Sequence, residues 1–399
     1  MGYKNDTMPI DFDSYISRNG TASVKYDTRV DNFGRSDVIP LWVADMDFAA
    51  PKAVQNALIA RATHPIYGYT TDSESLYEAL KSWYSKRYNW TINREWIMFC
   101  PGVVPSLHAS IFALTKLCDS IIVQPPVYAP FLALPKLTGR NLVVNPLMLT
   151  DNRYYVDLNH LERCVVNGAR LLLLCSPHNP VGRVWQHQEL MEILKICEQY
   201  DVTVISDEIH SDLIYPNARH TPLAQLAGNA VKVITAVSPS KTFNIPGLGL
   251  SALIVSDQGD RTAIRKIFET WSVGVFNPFS LVAFEAGYRE GAEWLDELLK
   301  YLTDTRHFIR KFLQQNLPRI KMIESEGTYL LWLDCRELKL SDLQLKQFFV
   351  EKAGVGLSPG ILFGEQGSGF MRMNMAAPRN CIAQALEQIA RAAQRMVIG

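Results

Sequence analysis

The chain has 399 residues, 48% of them hydrophobic and 20% charged, enough apolar material for a large core and enough length for two or three domains. Its 40 basic and 40 acidic residues cancel at pH 7 with no long run of one sign, so charge gives no ground for nucleic acid or an anionic membrane as partner and leaves a small neutral or zwitterionic ligand. The seven cysteines are odd in number and never spaced as CxxC, which argues against a disulfide framework and for reduced core residues.

The N-terminal stretch lacks the charged-then-apolar order of a secretory signal, and Asp6 at the Ser/Thr position spoils a myristoylation reading of Met1-Gly2. No segment reaches the ~18 uninterrupted apolar residues of a membrane span, so the cytoplasm is the expected location. Residues 96–256 repeat one rhythm: a short apolar run ends in Gly, Pro, Ser or Asp, a helical stretch follows, and another apolar run begins. That alternation predicts an α/β domain, with strands at 120–123, 169–175, 202–205, 231–237 and 250–255. Leu190, Ile193, Leu194 and Cys197 recur at i, i+3, i+4 and i+7, one apolar helix face for covering a sheet. The strands are continuously apolar, so helices are expected on both faces of a mostly parallel sheet. After about residue 288 the pattern changes to a long helical stretch, 294–315, and strand-like pieces at 328–333 and 369–374. This predicts a large domain over 49–288 and a smaller α+β domain built from 1–48 and 289–399, with 40–48 reaching the cleft between them.

Four turns after apolar runs carry the chemistry. Cys100-Pro101-Gly102-Val103-Val104 opens a helix whose free N–H groups suit a phosphate. In Pro177-His178-Asn179-Pro180-Val181-Gly182, Asn179 offers an amide donor in a stiff turn, although an Asn-Pro pair alone marks only a turn. Ser206-Asp207-Glu208-Ile209-His210 ends a strand, where parallel sheets place their ligand crevice. Asp207 there can pair with a ring nitrogen that must stay protonated. The same residues could begin a metal site, but no second cluster supplies further ligands, and His210 also reads as a structural histidine. Ser238-Pro239-Ser240-Lys241-Thr242-Phe243-Asn244 follows the run 231–237. Burial there favours the neutral amine of Lys241, the form that condenses with an aldehyde, with the Ser238 and Ser240 hydroxyls available to a phosphate. The plain alternative is a surface lysine in a Ser-rich turn.

Together and in this order, these elements resemble the fold-type I pyridoxal-phosphate enzymes of the aminotransferase class I/II superfamily over nearly the whole chain. Within it the chain is most similar to the cystathionine β-lyase group, through Val43-Ala44-Asp45-Met46-Asp47-Phe48, Tyr67-Gly68-Tyr69-Thr70, the segment 175–185 and Ser206-Asp207-Glu208-Ile209-His210. The resemblance implies a large domain with a mostly parallel sheet of the seven-stranded type and pyridoxal 5′-phosphate as cofactor. It implies that Lys241 bonds to the cofactor, Asp207 holds the pyridine nitrogen, Asn179 contacts the ring oxygen and Tyr128 stacks on the ring. Gly102, Val103, Val104, Ser238 and Ser240 would surround the phosphate, with His210 beside the ring. Arg372 would grip the substrate α-carboxylate, with Tyr128, Asn179 and the backbone of Ala44 nearby. Tyr69 would reach the site of the neighbouring subunit, making the working unit a homodimer. No metal is implied. The reaction implied is β-elimination from cystathionine or another cysteine S-conjugate, giving pyruvate, ammonia and a thiol.

Two positions depart from the aminotransferase pattern. His210 stands where those enzymes have tyrosine, which favours the lyase branch; Gly249 stands where they have arginine, which leaves the phosphate charge to amides and hydroxyls. An aminotransferase would use the same residues, and a regulatory protein similar to MalY, retaining the cofactor, is the third reading.

Overall fold

The computed structural model describes residues 10–274 and 277–398. The opening stretch on which the targeting and myristoylation readings rest therefore lies partly outside the described residues, at 1–9. Among the described residues no helix is long and apolar enough to cross a membrane.

The N-terminal segment leads to a two-residue strand, β1 (Ile39–Pro40), and two helices, Lys52–Thr63 and Glu74–Tyr88. The chain then enters a sheet through β2 (Ile97–Cys100), β3 (Ser120–Val123) and β4 (Asn141–Val144). A hairpin of β5 (Met148–Thr150) and β6 (Arg153–Tyr155) stands aside, and the sheet resumes with β7 (Leu171–Cys175), β8 (Thr203–Asp207), β9 (Val233–Val237) and β10 (Ser251–Val255). The seven strands lie in the order β2-β10-β9-β8-β7-β3-β4. All run the same way except β10, which is antiparallel to both neighbours.

The continuous apolar runs are explained by cover on both faces. Every residue of β7, β9 and β10 is buried. Helix His187–Gln199 buries Leu190, Ile193, Leu194 and Cys197, the face its periodicity indicated, and helix Val103–Leu114 packs against the other side through Leu107 and Ile111. Because six strands share one direction, their C-terminal ends gather the turns after β2, β7, β8 and β9 along a single edge. That edge is where open α/β sheets bind ligands.

Four of the remaining strands form a second sheet, and one more makes a separate pair with β1. β11 (Lys321–Met322), β12 (Leu330–Asp334), β14 (Ser358–Pro359) and β15 (Phe370–Asn374) are antiparallel in the order β11-β12-β15-β14, and β13 (Val355–Gly356) pairs in parallel with β1. N- and C-terminal segments are thereby joined. Helix Ala292–Asn316 supports this sheet with Leu295, Leu298, Leu302, Ile309 and Leu313 buried along one face, and helix Arg379–Ile398 closes the chain. The residue 288 boundary falls in the last turn of helix Pro278–Glu290, and the backbone break itself comes at Gly291. Five cysteines are buried, Cys381 is partly so, and Cys118 is exposed in a left-handed turn with φ 67°; all are free.

Candidate active site

Lys241 occupies the turn after β9, and its Nζ donates to the carbonyl of Ala44 at 2.7 Å. The side chain lines two neighbouring chambers, an inner one of about 300 Å³ and an outer one of about 830 Å³, whose walls share Ala44 and Tyr128 with it. Burial pulls its amine down to about 8, with Arg372 pulling the same way and Asp45 and Asp207 opposing. A lysine so placed keeps a sizeable neutral fraction near neutral pH, as a nucleophilic or proton-accepting amine needs.

Asp207 ends β8 on the wall of the inner chamber, 6% exposed. Its Oδ1 accepts only the N–H of Ile209, at 3.1 Å, and no basic side chain pairs with it among the described residues. Burial pushes this carboxyl up to about 7, helped by the neighbouring charge of Glu208. Glu208 faces the other way, into a buried set made by Ser206, the N–H of Leu223 and His220 at 2.9 Å. The carboxylates that sequence places side by side thus serve opposite faces of the strand. His210 lines the chamber with its Nδ1 unpartnered, and burial next to Lys241 and Arg372 holds its imidazole neutral, at about 3.

Asn179 is fixed by its backbone: its carbonyl accepts the N–H of Tyr128 at 3.0 Å, and its own N–H points to Cys175 Sγ. Neighbouring His178 is buried and bonds the carbonyl of Pro126 through Nε2 at 2.9 Å, tying the turn to the one after β3. Asn179 Oδ1 accepts from Arg372 Nη1 at 3.2 Å, which directs Nδ2 away with no protein partner among the described residues. Arg372 projects from the middle of β15. Its Nη2 donates to the carbonyl of Trp42 at 2.8 Å and lies 3.4 Å from Ser358 Oγ, while Nε is buried without a partner. No carboxylate pairs with this guanidinium among the described residues, and burial draws it down to about 10.

At the far end of the inner chamber Gly102 precedes helix Val103–Leu114 with φ 148°, a backbone region closed to most L-residues. The N–H groups of Val103 and Val104 find no acceptor there, as expected in the first turn of a helix. Ser238 Oγ donates to the carbonyl of Leu250 at 2.7 Å and accepts the N–H of Ser240 at 3.2 Å. Its proton therefore points away from the chamber, and of the two hydroxyls only that of Ser240 is uncommitted. Gly249 sits opposite with φ 51°, where an added Cβ would lie 3.4 Å from the carbonyl of Pro101. An arginine at this position would carry left-handed strain as well as charge.

Tyr69 does not join the site within its own chain. It is 95% exposed and lines neither chamber. Sequence reasoning also passed over Tyr329, whose Oη reaches the Ala44 carbonyl at 2.9 Å, and two asparagines that hold residues 43–48 in place. Asn374 donates to the carbonyls of Val43 and Asp45, both at 2.6 Å, and Asn244 donates to those of Met46 and Phe48 at 3.0 and 2.8 Å. Asn374 lies two residues after Arg372 and Asn244 three after Lys241. Nothing in their spacing marked them as clamps for a third segment.

These residues fit a pyridoxal 5′-phosphate group. A buried carboxylate without a cation suits a protonated ring nitrogen, an amine near neutrality suits the aldehyde, an unpartnered amide N–H suits the ring oxygen, and unpaired helix N–H groups suit the phosphate. The chain matches the aminotransferase class I and II family over residues 36–389. It is 40% identical over 382 residues to cystathionine beta-lyase PatB of Bacillus subtilis, covering 95% of this chain and 99% of that one. Protein MalY of Escherichia coli is 31% identical over 93% of this chain and 95% of its own. Among solved structures, cystalysin from Treponema denticola, which contains a pyridoxal 5′-phosphate cofactor, superposes with a TM-score of 0.93 at 36% identity, over 98% of this chain and 100% of that one. The chain belongs to the aminotransferase class I and II family.

Proposed function

We propose that this protein is a pyridoxal 5′-phosphate-dependent carbon–sulfur β-lyase acting on cysteine S-conjugates, L-cystathionine among them, and releasing pyruvate, ammonia and a thiol. One observation carries the reading: a lysine amine near neutrality stands between a buried carboxylate lacking a cation and a buried guanidinium lacking an anion. Cofactor and amino acid supply the missing charges. The name of the PatB relative, at 40% identity, supports the same reaction.

When bound, the cofactor supplies an electron sink that stabilises negative charge on the substrate α-carbon. Arg372 receives the α-carboxylate, and its existing bonds to Trp42 and Asn179 fix the guanidinium plane before substrate arrives. Lys241, neutral enough to accept a proton, takes the α-hydrogen. Asp207 would stay ionised against the ring nitrogen, Asn179 Nδ2 would donate to the ring oxygen, and Tyr128 would cover the ring. The N–H groups of Val103 and Val104, with Ser240, would hold the phosphate, and Ser238 would join them if its hydroxyl turned from Leu250. His210 remains neutral beside the ring, so it adds no charge competing with Asp207. The outer chamber takes the sulfur substituent. We further propose a cytoplasmic homodimer in which Tyr69, exposed on its own subunit, enters the partner's site.

The test is the absorbance spectrum of the purified protein, followed by L-cystathionine and assays for pyruvate and ammonia, with Lys241→Ala in parallel. A visible band and Lys241-dependent pyruvate are expected. A band without pyruvate, but with the cofactor converted to its amine form, would make the protein an aminotransferase, and no band after reconstitution would remove the cofactor itself.

A further inference from the structure

The charges around the outer chamber are unequally committed. Arg18 forks onto Asp45 at 2.9 and 2.6 Å and reaches Asp47 at 2.8 Å. Lys25, fully buried, bonds Asp47 at 2.8 Å and lies 3.8 Å from Asp45, and Tyr26 Oη donates to Asp47 at 3.1 Å. Two cations and two carboxylates thus close on each other. Lys241 is held by Ala44 and, on the lyase reading, is used in the reaction. Among the described charged side chains lining the chamber, Arg372 alone besides Lys241 lacks a counter-ion, which provides for one carboxylate and no more.

The rest of the wall is largely apolar. Ile16, Val24, Trp42, Val43, Leu362 and Phe363 line it, and Ile16, Val24 and Leu362 are 45%, 58% and 56% exposed at the mouth. Apolar groups left in water at the entrance of a binding cavity gain by being covered. An ammonium and carboxylate pushed against them gain nothing, unless the Arg18–Asp45 fork opens to receive them, and lose hydration.

We propose that the outer chamber selects cysteine conjugates whose sulfur carries an apolar group over those ending in a second amino-acid head. This rests on the lyase reading and narrows its substrate class: S-alkyl and S-aryl cysteines rank above cystathionine.

Two measurements test it on the holoenzyme. The first is kcat/KM for pyruvate release from S-methyl-, S-ethyl-, S-propyl- and S-butyl-L-cysteine and from L-cystathionine. The expected result is a rise of about two- to fourfold per methylene, the ceiling being ~0.8 kcal/mol for each buried CH2, with S-butylcysteine at least about tenfold above cystathionine. The second is calorimetric binding of 2-aminooctanoate and 2,7-diaminooctanedioate, all-carbon counterparts of S-butylcysteine and cystathionine with no C–S bond to break. The first should bind at least about tenfold tighter. Leu362→Ser, at an exposed position where folding is not at stake, should flatten the alkyl series and weaken 2-aminooctanoate. A flat series in the unaltered enzyme, cystathionine equal to or better than S-butylcysteine, or a series untouched by Leu362→Ser would overturn the proposal. If none of the five substrates gives pyruvate, the lyase reading itself falls, while the two all-carbon ligands still decide the selectivity of the chamber.

Discussion

Arg372→Met separates a substrate-binding role for the guanidinium from a structural one. The arginine is 6% exposed and has hydrogen-bond partners but no carboxylate. Burial lowers its pKa to about 10, so below that pH the charge opposes folding, and the opposition is relieved as pH rises through 10. At 1.36 kcal/mol per pH unit the cost near neutrality is about 3 kcal/mol. Methionine removes that cost but leaves Asn179 Oδ1 without a donor, at about 1–3 kcal/mol for such an orphaned acceptor, while the Trp42 carbonyl keeps Ser358 Oγ at 3.1 Å. The two effects largely offset, and the cofactor-free variant should melt within about 5 °C of the parent. Substrate binding gains no such compensation. Losing one partner of a buried charge pair costs about 3–5 kcal/mol, so kcat/KM for pyruvate release should fall about 10²- to 10⁴-fold. Steady-state kinetics and thermal melts on one preparation give both numbers. A loss of less than tenfold, or a loss matched by a collapse in melting temperature, would refute the assignment of Arg372 to the α-carboxylate.

Asp207→Asn should flatten a pH trend in the cofactor-free protein. A carboxyl raised from 3.8 to about 7 binds a proton in the folded state that the unfolded state has released, so stability falls between about pH 4 and 7, by up to about 4 kcal/mol. Urea unfolding at pH 5 and 7.5 should show this fall in the parent and little of it in the variant. Cofactor uptake by the cofactor-free protein, followed by absorbance, should speed up about tenfold per pH unit below pH 8 and level off above it, as Lys241 loses its proton; a rate independent of pH would exclude Lys241 as the attacking amine. Mixing Lys241→Ala with Tyr69→Ala under conditions that exchange subunits should restore activity neither variant has alone, because one site of the mixed dimer is intact. No recovery despite proven exchange would confine Tyr69 to its own subunit.

The sheet was legible because its strands are buried on both faces and therefore read as unbroken apolar runs, as Leu171–Leu174 does. The antiparallel direction of β10 was not. It follows from the link between Ser238 and Leu250, which contains one short turn at Pro246–Leu248 in place of a crossover helix. Gly102, Asn179, Asp207 and Lys241 were found from sequence because each sits where a strand run gives way to a turn, and one shared edge then brings them together. Ser238 was assigned by residue type, but its proton goes to a carbonyl that only the fold places beside it. Tyr329, Asn244 and Asn374 escaped notice because their partners are backbone atoms 285, 198 and 331 residues away.

Those separations bear on how the protein is made. Residues 43–48 line the outer chamber, with Ala44 lining the inner one as well, yet this early segment is pinned by Asn244 from the middle of the chain and by Asn374 near its end. The Asp47 N–H waits in the same way for the carbonyl of Ala376. During synthesis the sheet carrying Lys241 and Asp207 can form and bury its strands well before these late residues leave the ribosome. Asn244 can hold Met46 and Phe48 early, but the clamp on Val43 and Asp45 must wait until the last-made strand arrives. Cofactor capture can precede completion of the chain, whereas a pocket able to grip an amino acid belongs only to the finished protein.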